Sequence, residues 1–129
     1  MDTPCVLVID DEANFREIVS ANLTPKGFKV LEAEDGDLGY EIAKVNHPNL
    51  ILLDMKMPKV DGAETLARLK NDPETKDIKV IFLTNYGDPR SEFRESDKKF
   101  AEQFGAMEYI KKSEIMEELV PTLKRILGL

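Results

Sequence analysis

The chain has 129 residues, 42% of them hydrophobic, and a net charge of −7. That length suits one domain with its own core, the acidity argues against a non-specific nucleic-acid binder, and no apolar run approaches the roughly 20 residues that span a bilayer. A single cysteine, Cys5, excludes an internal disulfide; with a start lacking the basic residues of a secretory signal, it points to a reducing, cytoplasmic setting.

In chain order, Cys5–Ile9 reads as the first strand. Phe15, Ile18, Val19, Asn22 and Leu23 then give a helical stripe, ended by Pro25 and Gly27. Phe28–Ala33 is the second strand. Leu38, Ile42 and Val45 mark the second helix, with Asp35 or Asp37 as cap and Pro48 beyond its end. Leu50–Leu53 is the third strand. Asp61 caps a third helix carrying Leu66 and Leu69, with Pro73 after it. Val80–Leu83 is the fourth strand, and Phe93, Phe100 and Phe104 lie on a fourth helix closed by Gly105. Met107–Ile110 is the fifth strand. Ile115, Leu119, Leu123, Ile126 and Leu127 form the fifth helix, where Pro121 predicts a kink or a later start. The first, third and fourth strands are near-continuous apolar runs, which suits a parallel sheet covered on both faces. The alternation predicts one doubly wound α/β domain over residues 1–129, with right-handed crossovers and strand order 2-1-3-4-5.

Ligands in such sheets bind outside the carboxyl ends of the strands, at the point where strand order reverses. The strand ends carry Asp10, Asp11 and Glu12, then Asp54, then Thr84, then Lys111. Strands one and three flank the reversal, so Asp10, Asp11 and Asp54 share one pocket. Close carboxylates repel, and a hard divalent cation such as Mg²⁺ removes the conflict. Lys111 adds a positive pole and Thr84 a donor for an anion. These are the parts of phosphoryl transfer, with Asp54 as a candidate nucleophile.

On "VLVIDDE" (6–12), "LILLDMKMPKVDG" (50–62), "VIFLT" (80–84) and "YIKK" (109–112), the chain resembles the response-regulator receiver family of two-component signalling. The resemblance implies a flavodoxin-like (βα)5 fold and a phosphoacceptor switch rather than an ordinary enzyme, one that promotes its own phosphorylation and dephosphorylation. It implies that Asp54 accepts a phosphoryl group from a sensor histidine kinase or phosphotransfer protein. Asp11 would ligate Mg²⁺ directly, Asp10 mainly through water, and Asp54 with the main-chain carbonyl of Lys56 would complete the set. Lys111 would bind the phosphoryl oxygens, Thr84 would swing in to them, and Tyr109 would turn inward behind it. A downstream protein would dock on the fourth helix, fifth strand and fifth helix, with no direct nucleic-acid binding, no membrane insertion, and a monomer as the default state. The alternative is an excised receiver from a larger regulator with a DNA-binding or enzymatic output domain. An unphosphorylated interaction module conflicts with the complete acid–hydroxyl–lysine set, and a hydrolase using Asp54 lacks a second acid, since Lys56 stands two residues on.

Three departures accompany the resemblance. Lys112 follows Lys111 where the family has a cis proline; a non-proline cis bond costs about 3 kcal/mol, which predicts a trans bond or a strained one. Asn85 and Tyr86 follow Thr84, and they are expected to hinder the attacking water and lengthen the phosphorylated lifetime. The stretch from Thr84 to Lys111 is longer than the family norm and heavily charged, as a solvated face is. Pro58 and Gly62 are expected to shape a loop that opens Asp54 to solvent. His47 reads as a cation near a helix C-terminus, and the methionines as filler.

Overall fold

The computed structural model describes residues 3–55, 62–84 and 106–129. Its parallel sheet has β1 (Cys5–Ile9), β2 (Lys29–Ala33), β3 (Leu50–Asp54), β4 (Lys79–Thr84) and β5 (Ala106–Lys111), in the order β2-β1-β3-β4-β5. The doubly wound order expected from the sequence is therefore observed. Helices α1 (Ala13–Leu23), α2 (Gly36–Asn46), α3 (Gly62–Asn71) and α4 (Ile115–Leu127) cover the two faces. Here α4 is the element counted as the fifth helix from the sequence. The expected fourth helix, with Phe93, Phe100 and Phe104, lies outside the described residues, as do Lys56, Pro58, Asp61, Asn85 and Tyr86.

Every residue of β3 is buried, as are Val6–Ile9 of β1 and Val80–Thr84 of β4. Strand alternation divides their side chains between two layers. Val6, Val8, Leu50, Leu52, Ile81, Leu83 and Ile110 pack with Phe15, Val19 and Leu23 of α1 and with Ile115, Leu119 and Leu123 of α4. Leu7, Ile9, Ile51, Leu53, Val80 and Phe82 pack with Ala43 of α2 and with Leu66 and Leu69 of α3. Burying one leucine or isoleucine side chain stabilises by about 2 kcal/mol, so these strands carry much of the fold's driving force.

Two helical stripes differ from expectation. On α1, Ile18 is 44% exposed, and the buried row is Phe15, Val19 and Leu23. On α2 the correction is larger. Its buried residues are Gly36, Gly39 and Ala43, whereas Leu38 and Val45 are exposed and Ile42 only packs at the side. The cause is proximity: a Cβ on Gly39 would run into the Ile9 side chain. The helix lies so close to β1 that only small residues fit beneath it. Asp35, not Asp37, caps this helix, its side chain accepting from Leu38 N at 2.8 Å. At the other end His47 takes a left-handed conformation (φ 47°) and donates its N–H to the Ala43 carbonyl.

Pro121 does not delay α4: the helix runs from Ile115 to Leu127 with Pro121 inside it. Pro121 and Glu117 are both exposed, so the Glu117 carbonyl that loses its donor can be hydrated instead. Among the described residues no peptide bond is cis, so the Lys111–Lys112 bond is trans as expected. No described helix is long and apolar enough to cross a membrane.

Candidate functional site at the strand ends

The register pairs Ile9 with Leu53, which brings the residues following them, Asp10 and Asp54, side by side. Asp10 is fully buried and Asp54 is 3% exposed. The opening of Asp54 to solvent expected from the sequence is thus not what the fold provides: its carboxylate sits inside the notch. Thr84, at the end of β4, is also buried, and it pairs with Lys111 in the β4–β5 register.

Asp10 is held from several sides. Its N–H donates to Ala33 O at 3.0 Å, its carbonyl accepts from Arg16 Nη1 at 2.7 Å, and its Oδ1 accepts from Glu12 N at 2.9 Å. Arg16 is itself tied to Glu32 at 3.2 Å. The carboxylate is therefore fixed by backbone and by α1 rather than left to rotate.

Among the described residues, the cation in the notch is Lys112. Its Nζ lies 2.7 Å from Asp10 Oδ2, 3.0 Å from Glu12 Oε1 and 3.6 Å from Asp54 Oδ2, and it stands 4.7 Å from the centre of the Phe15 ring. Its side chain is 9% exposed. Lys111, which the sequence reading placed here, turns away: its side chain is 44% exposed and its Nζ lies 3.9 Å from Glu114. Pleat parity explains the difference. Val8, Leu52 and Ile110 share the layer under α1 and α4. Counting on by two reaches Asp10, Asp54 and Lys112. Lys111 instead shares the parity of Tyr109, which packs on the opposite cluster and stacks on Phe82 with ring centroids 6.4 Å apart.

The protonation chemistry follows from burial. Burial pushes the Asp10 carboxyl above its ordinary value, and Lys112 and the Glu12 N–H offset only part of that. For Lys112, burial lowers the pKa, but Asp10 and Asp54 together outweigh it and hold the ammonium above the usual lysine value. Because the folded state binds the Asp10 proton more tightly than the unfolded chain does, Asp10 removes stability as pH rises from the ordinary aspartate range through its elevated folded value. Asp10→Asn should therefore flatten the acid side of the stability profile. Relative to the parent it should gain stability as pH rises from acidic to neutral in metal-free buffer. Chemical denaturation at several pH values checks this; a profile parallel to the parent's would refute it.

The donor set fits a hard divalent cation. Carboxylate oxygens of Asp10, Asp11 and Glu12 lie within 4.8 Å of one another. Asp10 Oδ2 is buried and, although close to Lys112, accepts no well-aligned hydrogen bond. An all-oxygen site with one buried, under-satisfied carboxylate oxygen suits Mg²⁺. Of the residues named from the sequence, Asp10 and Asp11 are in this group; Asp54 is not among its three acids and stands 3.6 Å from the Lys112 ammonium that also contacts Asp10. Glu12 was not assigned a role by the sequence reading.

The family model for the response regulator receiver domain matches residues 6–124. The DNA-binding dual master transcriptional regulator RpaA of Synechocystis is 36% identical over 124 residues, which is 96% of this chain and 49% of that protein. The phosphate regulon transcriptional regulatory protein PhoB of Pseudomonas aeruginosa is 38% identical over 122 residues, covering 95% of this chain and 51% of that protein. This chain therefore spans about half the length of these curated relatives. Among solved structures, Vibrio cholerae chemotaxis protein CheY4 superposes with a TM-score of 0.86 at 26% identity, covering 97% of this chain and 99% of that one. The N-terminal domain of a response regulator receiver protein from Methanoculleus marisnigri gives 0.77 at 27% identity, with 99% of each chain covered. The notch at the ends of β1, β3 and β5 and these matches converge: the chain belongs to the response regulator receiver domain family.

Proposed function

We propose that Asp54 accepts a phosphoryl group from a phosphohistidine on a sensor histidine kinase or phosphotransfer protein. An Asp54 carboxylate oxygen attacks phosphorus, the P–N bond breaks, and the imidazole nitrogen leaves with the bonding pair. The observation that carries this reading is the Asp54 carboxylate at the end of β3, with the Lys112 ammonium 3.6 Å away and the Asp10 carboxylate on the same ammonium. Bound Mg²⁺, held by Asp10, Asp11, Asp54 and the Lys56 carbonyl, would supply charge neutralisation at the phosphoryl oxygens. Lys112 takes the oxygen-binding role first assigned to Lys111, and Thr84 donates to the phosphoryl group once it is in place. The switch face comprises the fourth helix expected from the sequence, β5 and α4, with Tyr109 moving in register with Thr84. These contacts exist only in the phosphorylated state, so phosphorylation shifts the population toward it. Self-catalysed loss of the phosphoryl group, a cytoplasmic location and a monomeric state belong to the same proposal.

The test is intact mass after incubation with Mg²⁺ and a small phosphodonor. The parent should gain one phosphoryl group, and Asp54→Ala should gain none. An adduct of equal yield on both, or on neither, would refute the assignment. A second reading, a receiver that works as part of a longer DNA-binding regulator, is favoured by the half-length coverage of RpaA and PhoB.

A further inference from the structure

Glu12 stands at the N-cap position of α1 (φ −90°, ψ 108°), where a side chain commonly turns back to accept a first-turn N–H. Its carboxylate makes no such cap bond. It reaches instead to Lys112, 100 positions later in the chain, which donates to Oε1 at 3.0 Å. The Lys112 ammonium therefore bridges a fully buried acid, Asp10, and an acid whose side chain is 59% exposed, Glu12. The Asp10 oxygen that Lys112 approaches at 2.7 Å is buried and accepts no well-aligned hydrogen bond. An ammonium and a divalent cation drawn to the Asp10 carboxylate, the metal directly or through a bound water, would compete for the same negative charge.

We infer that Glu12 is a positioning residue that resolves this competition: it offers Lys112 an outer anchor, so that the ammonium can yield Asp10 to an incoming divalent cation without leaving the notch. Glu12 then strengthens cation binding through Lys112 and not by ligating the metal. With the anchor gone, Lys112 must find its counter-charge on Asp10 and Asp54, and the cation meets a better-held competitor. The purpose of keeping the ammonium beside Asp54 rests on the phosphoacceptor reading above; the linkage to cation affinity rests on the distances alone.

Calorimetric binding of MgCl₂ to the parent, Glu12→Gln, Lys112→Met and the double variant tests the inference as a double-mutant cycle. Glu12→Gln should weaken Mg²⁺ binding about tenfold in the parent background and no more than about threefold when Lys112 is methionine. Glu12→Asp keeps the charge but shortens the reach, needs no change at Lys112, and should lose affinity as Glu12→Gln does. Equal losses in both backgrounds would make Glu12 a ligand and overturn the inference. Unchanged affinity in Glu12→Gln, or parent-like affinity in Glu12→Asp, would overturn it as well. Failure of the parent to bind Mg²⁺ at all would bring down the phosphoacceptor reading together with this one.

Discussion

Lys112→Met should lose about 3 kcal/mol of stability at neutral pH in metal-free buffer, the low end of the cost of breaking a buried ion pair, while Lys111→Met stays within about 0.5 kcal/mol of the parent. The two lysines are adjacent, and the chemistry of the substitution is identical. What differs is surroundings. The Lys112 side chain is 9% exposed and faces Asp10, which is fully buried, and Asp54, which is nearly so. Removing its charge leaves two buried carboxylates with less compensation, and a buried charge without a partner is far costlier than the pair was favourable. Lys111 holds a 3.9 Å ion pair with Glu114 at the surface, where such pairs contribute little.

The pH dependence separates electrostatics from lost packing. In the parent, Lys112 has its pKa raised, so its stabilising contribution is present below the ordinary lysine value and fades only as pH rises through the higher folded value. In Lys112→Met the carboxylates lose their cation and bind protons more tightly in the folded state. The deficit should therefore shrink as pH falls toward the carboxylate range, and Mg²⁺ should also relieve it. A deficit independent of pH would mean that Lys112 acts through its aliphatic stem and its contact with Phe15. Phosphoryl transfer supplies the second readout. Loss of a preorganised charge aimed at a developing anion costs about 100-fold in rate, so Lys112→Met should form the adduct about 100-fold more slowly and Lys111→Met at the parental rate. The reverse pattern would return the role to Lys111.

This pair of residues also shows what was legible in the sequence. The apolar runs of β1, β3 and β4 are long, uninterrupted and flanked by turn residues, and each strand lies where its run does. Their last residues gave Asp10, Asp54 and Thr84 directly. Lys111 stands at the end of the fifth run, but the end of a strand is a weaker guide than its parity. Val8 to Asp10, Leu52 to Asp54 and Ile110 to Lys112 are each steps of two, and that count was available in the sequence.

The α2 inversion was less accessible. Leu38, Ile42 and Val45 have helical spacing, and only the distance between α2 and β1 shows that the inner row must be Gly36, Gly39 and Ala43. Glu12 lay beyond any local pattern, because its partner is 100 residues away and its position invites a capping role it does not take. The ladder fixes which strand ends meet; side-chain reach across them is a property of the folded edge alone.

Gly62→Ala should be the most damaging glycine substitution among the described residues, at about 3 kcal/mol, the upper end of overpacking costs. Gly62 opens α3 directly beneath the end of β3, and its N–H donates to Met55 O at 3.0 Å. A Cβ there would collide with the Asp54 carbonyl oxygen and stand 2.8 Å from Met55 Cα and 3.0 Å from Phe82 Cε1. Two of these three neighbours are backbone, and the third belongs to a fully buried ring. None can step aside by changing a rotamer, so β3 and α3 must separate.

Gly39→Ala provides the control. Its Cβ would collide with Ile9 Cδ1 and stand 2.7 Å from Cγ1 and 3.2 Å from Cγ2, so its three nearest neighbours are side-chain atoms of one residue. A side chain can give way more readily than a strand, and alanine recovers up to about 1 kcal/mol of helix propensity inside α2. For a chain of this size 3 kcal/mol corresponds to a drop of about 10 °C in melting temperature, against a few degrees at most for Gly39→Ala. The Gly62 variant should also be impaired in adduct formation beyond its loss of stability. The peptide that must move carries the Asp54 carbonyl, and a displacement of about 1 Å in a reacting group can cost 100-fold. Thermal melts of the two alanine variants side by side, with adduct formation measured well below both transitions, test both statements. If Gly62→Ala melts no lower than Gly39→Ala, the close approach of α3 to the end of β3 is not what holds the Asp54 carboxylate in place.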